Sequence, residues 1–435
     1  MPKKFTMKSS RINQIIARAN NVIPGQQPVD LARRALLKSS LKNSLLATGA
    51  VVGVPMLTAC SNVLSFEKIH NYFKRMSSNI ATLGPLMAPD KNGIRLPAGF
   101  TSSIVAQSNI RPVSASDYVW HWAPDGGAVF DTEGGGWIYV SNSEMNGGAG
   151  GAGALVFGAD GSIRDAYSIL KNTSRNCAGG VTPWGTWLSC EEVSDGRVWE
   201  CDPMGVTNAR VLDALGTFTH ESVAFDTTSN QLYLTEDEKD GCLYRFTPDS
   251  VDNMGRPDLR SGVLDVAQLL DTESENMVWH TINDPNASSK ATRYQVGKAT
   301  AFKGGEGIVC LEGKVYFATK GDNRIWSLDI ARQTMTVLYD VESYANPVLT
   351  GVDGLAILPT GEIFVAEDGG DMQIVAITPG GQVLPILQVE NQPNSELTGP
   401  AFNRHGNKLY FSSQRGTLGT SAGGITYEVS GPFYS

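Results

Sequence analysis

Six short apolar runs recur along the chain, each opened by a turn and closed by polar or acidic residues. They are GGGWIYVSNSE at 134–144, WGTWLSCEE at 184–192, NQLYLTEDE at 230–238, GKVYFATKGD at 313–322, GEIFVAEDG at 361–369 and NKLYFSSQRG at 407–416. Four or five consecutive β-prone residues behind a glycine or asparagine have the length and chemistry of strands rather than helices. The runs start near 136, 184, 230, 313, 361 and 407, so they are 46 to 48 residues apart except for one interval of 83. A period in the high forties is that of a four-stranded propeller blade, and repeating such blades around a ring solves the edge-strand problem by leaving only short, protected edges. The pattern predicts an all-β chain, a six-bladed β-propeller over 96–435, with an insertion at about 247–300. That insertion contains PDSVDNMGRPD and NDPNASSK, polar and turn-forming, and reads as an extended loop or lid over one face.

A second repeat lies about ten residues before each run: PDGGAVF (124–130), CAGGVTP (177–183), HESVAFD (220–226), GEGIVCL (305–311), VDGLAIL (352–358) and TGPAFNR (398–404). Small residues suit innermost strands, which crowd around one axis. The polar residue that opens each strand then faces the axis at one rim: Asp125, Cys177, Glu221, Glu306, Asp353 and, slightly earlier, Glu396. Carboxylates converging on a poorly solvated channel repel one another unless cations compensate. The repeats therefore predict a central axial metal site. Oxygen ligands suit hard cations such as calcium, and a thiolate among carboxylates suits a transition metal, iron or zinc. Further ligands are expected near the ends of the neighbouring strands, from Asn142 and Glu144, Glu191 and Glu192, Glu236 and Asp237, and Glu367 and Asp368.

Composition narrows the partners. The 435 residues carry a net charge of −9, which argues against nucleic acid, and 41% hydrophobic residues suffice for an ordinary core. Forty-seven glycines point to many tight turns. Five histidines are too few to build the metal site, so His121 and His220 are read as supports beside ligands. Trp120, Trp122, Trp184 and Trp187 are read as packing between blades. Cys190, Cys242 and Cys310 sit among apolar strand residues and are read as core.

The first 60 residues read as an export signal. They are basic, Ala32-Arg33-Arg34-Ala35-Leu36-Leu37-Lys38 resembles a twin-arginine motif, and a mostly apolar run from Leu45 to Met56 follows. Leu57-Thr58-Ala59-Cys60 resembles a bacterial lipobox, which makes Cys60 the candidate lipid anchor and the only membrane attachment expected. The apolar run falls short of the ~20 residues that a spanning helix needs. Residues 61–95 are read as a linker or helical segment. These features predict a location in the periplasm or cell envelope; a monomer is expected.

The blocks WHWAPDGGAVF, GGWIYVSNSE, GALVFGADG, RNCAGGVTPWGTWLSCEE, HESVAFD and LTGPAFNRHGNKLYFSSQ resemble the successive signatures of PhoX-type alkaline phosphatases, from about Leu96 to the end of the chain. The resemblance implies an exported six-bladed propeller that hydrolyses phosphate esters with an iron and calcium cluster at its channel mouth. It makes Cys177 an iron ligand beside Glu221 and Glu306, and places Glu191, Glu192 and Asp353 in metal-binding blocks. Where the family resembles a pattern with arginine two residues before the glutamate of TAFKGGEGI, this chain has Gly304, which leaves Lys303 as the adjacent cation and Arg175 and Arg415 as further phosphate contacts. Gly354 stands where the family tends to have asparagine, and the chain is shorter than the typical member. The same ring admits two other readings, a calcium-dependent lactonase or esterase and a non-catalytic metal-binding propeller.

Overall fold

A computed structural model of the chain describes residues 77–270 and 275–435. The export-signal reading, with Arg33, Arg34 and Cys60, lies outside the described residues. Six antiparallel sheets form the ring, and no α-helix occurs among the described residues. Blade 1 runs Pro124–Asp131, Trp137–Ser143, Gly150–Phe157 and Ile163–Thr173 from the axis outward. Blade 2 follows with Asn176–Val181, Trp187–Glu191, Val198–Cys201 and Arg210–Val211. Blades 4 and 5 begin at Gly305–Leu311 and Val352–Ile357.

Blade 6 closes the ring. Leu397–Phe402, Lys408–Ser413 and Ile425–Ser430 come from the end of the chain, and Thr101–Gln107 joins as the outermost strand from its beginning, with Ser102 opposite Val429. Pairing the two ends in one sheet closes the circle, leaving only the short outer edges of the blades. The preceding segment is tied down as well. Ile94–Arg95 adds a fifth strand to blade 5, and Ile80 is buried with Phe433 and Tyr434. The described part of the 61–95 segment is thus tied to the ring at both of its ends.

Blade 3 absorbs much of the insertion as regular structure. After His220–Asp226, Gln231–Glu236 and Leu243–Pro248, the fourth strand Gly262–Leu269 and a fifth, Met277–Thr281, continue the sheet. The stretch expected to be loop therefore widens a blade, and 282–304 crosses to blade 4. Arg293, on that crossing, pairs with Glu236, Glu238 and Asp240 at 2.9 to 3.4 Å.

The core is not one mass but six clusters, one at each junction between blades. Strand periodicity explains this. In Gln231–Glu236, Leu232 and Leu234 face blade 2 while Tyr233 faces blade 4; in Trp137–Ser143, Trp137 and Tyr139 face blade 6 while Ile138 and Val140 face blade 2. Both faces are buried, so the runs read as continuously apolar. Near the axis the packing becomes backbone against backbone. A Cβ added to Gly180 would lie 1.9 Å from the Val223 carbonyl oxygen of the next blade. Gly180→Ala is expected to destabilise the ring by about 3 kcal/mol, the upper range for overpacking, read as a lower denaturant midpoint; an unchanged midpoint would show that the strands can part.

Candidate metal centre

Each innermost strand carries the same irregularity. In blade 1 Pro124 pairs with Ser143 and Gly127 with Ser141; in blade 2 Asn176 pairs with Glu191 and Gly179 with Ser189; in blade 3 His220 pairs with Glu236 and Val223 with Leu234. Two residues of the inner strand thus oppose one of its neighbour, a β-bulge, which bends the strand and re-aims a side chain. Blades 4 and 5 repeat the shift after Gly305 and Val352, and in blade 6 it falls one residue later, after Thr398. The residues so placed form an inner ring of Asp125, Cys177, Glu221, Glu306 and Asp353, with Thr398 in the corresponding place of blade 6.

An outer ring follows from the second strands. Immediately after each lie Glu144, Glu192, Asp237, Lys320, Asp368 and Gln414. Their backbone N–H groups donate to the carbonyls of Ala123, Arg175, Thr219, Gly304, Gly351 and Glu396 at 2.8 to 3.1 Å. The same hydrogen bond in every blade fixes these six residues at equivalent positions.

The two rings bring potential ligand atoms together in four groups whose atoms lie within 4.8 Å of one another: Cys177, Glu192 and Glu221; Glu221, Glu306 and Asp353; Asp353, Asp368 and Glu396; and Asp125, Glu144 and Glu396. Glu221, Asp353 and Glu396 are each shared by two groups, so the four form a continuous arc. Three cations lie among them. Arg175 bridges Glu144 and Glu192, both at 2.6 Å; Arg415 reaches Glu396 at 3.0 Å; Lys320 Nζ lies 2.7 Å from Glu306 and 2.9 Å from Asp237. Nine carboxyl groups face three cations, too few to neutralise them all in ionised form. Burial, reinforced by neighbouring carboxylates, pushes Asp125, Glu221, Glu306 and Glu396 well above the usual carboxyl range. Burial also pushes Glu192 up to about 9 and Asp353 up to about 7. At Lys320 burial opposes the charge, but Glu306 and Asp237 outweigh it and hold the ammonium above the usual lysine range.

Some expected ligands serve elsewhere. Strand alternation turns the first acid of each pair away from the mouth. Glu191 accepts from Ser174 N–H and Trp199 Nε1; Glu236 accepts from Cys242 N–H, the Tyr244 hydroxyl and Arg293; Glu367 accepts from Thr350 N–H and Gln373 N–H. These acids tie rim loops to their blades, and the second of each pair reaches the mouth. Asn142 is fully used between blades 1 and 2: its amide donates to the Cys177 and Ala178 carbonyls and accepts from Trp187 Nε1 and the Ser189 hydroxyl. It positions the Cys177 strand. Lys303 is exposed, and the lysine among the acids is Lys320, which the sequence reading did not single out. Gln414 was also missed; its amide donates to Asp125 and Glu144 at 2.6 and 2.7 Å.

His121 bonds Tyr118 and Ser141, and burial takes its imidazole down to about 3, so it is neutral. His220 Nε2 meets the Gly216 carbonyl. Trp187 wedges between blades as expected, whereas Trp122 is 43% exposed on the rim beside Asn109. Cys190, Cys201 and Cys242 are buried and Cys310 half-buried, all as free thiols.

The family model for the alkaline phosphatase PhoX matches residues 139–200 and 195–337. Among solved structures, the PhoX of Pseudomonas fluorescens in complex with vanadate, a transition state analogue, is similar over 80% of this chain and 97% of that chain, with 17% identity and a TM-score of 0.63. A gluconolactonase of Xanthomonas campestris is similar over 80% of this chain and 98% of that chain, with 12% identity and a TM-score of 0.48. No curated protein matches.

Proposed function

We propose that this chain is a member of the PhoX family of alkaline phosphatases, an exported, metal-dependent phosphatase that hydrolyses small phosphate esters with iron and calcium at the channel mouth. The observation that carries the metal centre is Glu221. Its side chain is 1% exposed, one carboxylate oxygen has no hydrogen-bond partner, and it is shared by two candidate ligand groups. A buried carboxylate left so is costly unless a proton or a cation completes it.

The donor sets fit two kinds of ion. Cys177, Glu192 and Glu221 combine a thiol with carboxylates and suit iron; Asp125, Glu144 and Glu396, and likewise Asp353, Asp368 and Glu396, are all-oxygen sets that suit calcium. Bound there, the ions supply neutralisation of the charge on the phosphoryl oxygens. The chain's own groups do the rest. Arg175 is held by Glu144 and Glu192, yet its side chain stays 37% exposed, so its remaining donors face an incoming phosphate from beside the ligands. Arg415 does the same beside Glu396. Between the inner-ring acids Asp125, Glu221 and Asp353, the glycines Gly126, Gly307 and Gly354 narrow the axis to a cavity of about 40 Å³, too small for an ester, so the substrate stays at the rim.

Location in the periplasm or cell envelope, with Cys60 as the lipid anchor, rests on the twin-arginine and lipobox motifs. Elemental analysis of the purified chain, paired with assays on aryl phosphate monoesters and diesters, tests the whole reading. Iron plus calcium with turnover is expected; metal-loaded protein that leaves every aryl phosphate intact would overturn the phosphatase.

A further inference from the structure

The ring is rotationally repetitive, and one position in it is filled by a cation. Cys177, Glu192 and Glu221 are the inner residue of blade 2, the outer residue of blade 2 and the inner residue of blade 3. Moving one blade around the axis gives Glu221, Asp237 and Glu306. Among the described residues Asp237 is the one mouth carboxylate outside the four candidate ligand groups. It meets the ammonium of Lys320 instead, 2.9 Å from Asp237 and 2.7 Å from Glu306. Lys320 is the outer residue of blade 4, a position that holds a carboxylate in blades 1, 2, 3 and 5. Gly304 makes room for it: a Cβ there would lie 3.1 Å from Lys320 Cγ and 3.2 Å from Asp237 Oδ1.

We propose that Lys320 is an internal cation whose ammonium takes the place of one metal ion between Asp237 and Glu306, so that the chain binds one divalent ion fewer than its repeated frame provides for. The inference rests on the metal centre proposed above. An ammonium is a compact point charge with three donors, able to answer two carboxylates without the geometry a metal imposes. It is covalently supplied, so this part of the ring needs no loading. The two acids beside it are also kept from recruiting an ion when the rest of the mouth is filled.

The test compares the full chain, Lys320→Gln and Lys320→Gln/Asp237→Asn, each saturated with calcium and then freed of loose ions, by elemental analysis and by thermal melting. The single variant is expected to hold one more calcium per chain than the parent and to gain more melting temperature from calcium; the double variant returns to the parent's count. Should Lys320→Gln be insoluble, recovery on adding calcium to the growth medium is the expected result, and insolubility with calcium overturns the proposal. Equal counts in a parent that does hold metal would also overturn it, and a raised KM with those equal counts would make Lys320 a phosphate contact instead. A parent devoid of metal would bring down the metal centre itself.

Discussion

Stripping the protein with a chelator at pH 8 is expected to abolish phosphatase turnover and to lower the melting temperature by at least about 10 °C, and the drop is expected to shrink as the pH is lowered. The size follows from mass action: an ion that binds only the folded state contributes its binding free energy to stability, and structural sites bind with on the order of 10 kcal/mol. For a domain this long each kcal/mol moves the melting point by about 1–2 °C. The pH dependence follows from the carboxyl groups. Asp353 moves from 3.8 to about 7 and Glu192 from 4.5 to about 9 on folding, with Asp125, Glu221 and Glu306 raised as well. A raised carboxyl holds its proton in the folded chain at a pH where the unfolded chain has released it. That contribution is complete below the unfolded value and is lost as the pH climbs through the folded one. The metal-free protein should therefore be most stable near pH 5 and weaken toward pH 9. Cations bind the ionised form, so the loaded protein should not follow that decline. Melting curves with and without chelator at pH 5, 7 and 9 check this; superimposed curves at every pH would mean that the rings hold nothing.

The ring was legible in the sequence because the bulge that aims its residues falls at one place in a repeated motif. Once PDGGAVF, HESVAFD and VDGLAIL are aligned, Asp125, Glu221 and Asp353 stand in one column, and no contact needs to be known. The outer ring was harder. An acidic pair such as Glu191-Glu192 or Glu236-Asp237 gives no hint of which member faces the axis, because that is decided by strand register, a property of pairing. Lys320 was hidden for a different reason. A search for ligands looks for acids, and a lysine in the acid column of GKVYFATKGD reads as a break in the pattern rather than as a member of it. Aligning that run with NQLYLTEDE puts Lys320 in the column of Asp237, the signal that would have found it. The sheet within the insertion was also accessible, since GVLDVAQL over 262–269 is a strand-like run; the polar segments around it drew the loop reading. Arg293 was out of reach, since its partners Glu236 and Glu238 lie more than 50 residues away and only the folded rim brings them together.

Cys177→Ser is expected to cost phosphatase turnover on the order of 100-fold or more, with iron lost and calcium retained, by the usual scale of ligand and near-ligand changes at metal sites. The thiol is the one soft donor in any of the four candidate groups, and serine offers only a hydroxyl that stays protonated near neutral pH. The same substitution separates the ligand role from a nucleophilic one. Burial and then Asp125, Glu221 and Glu192 push the Cys177 thiol well above its ordinary range, so the metal-free chain has almost no thiolate to attack with. A thiol-alkylating reagent should accordingly leave Cys177 of the folded, metal-free chain largely unmodified at pH 7. Cys190→Ser supplies the comparison, because Cys190 is fully buried between blades 2 and 3 and belongs to no candidate group. It should lower stability while leaving the iron content of folded protein unchanged. A calcium-dependent lactonase or esterase would need no thiolate, and its activity would survive Cys177→Ser with the metal content unaltered. The outcome therefore turns on whether iron and turnover leave together: if they do, the thiol belongs to the reacting centre, and if turnover stays when iron goes, calcium alone carries the chemistry.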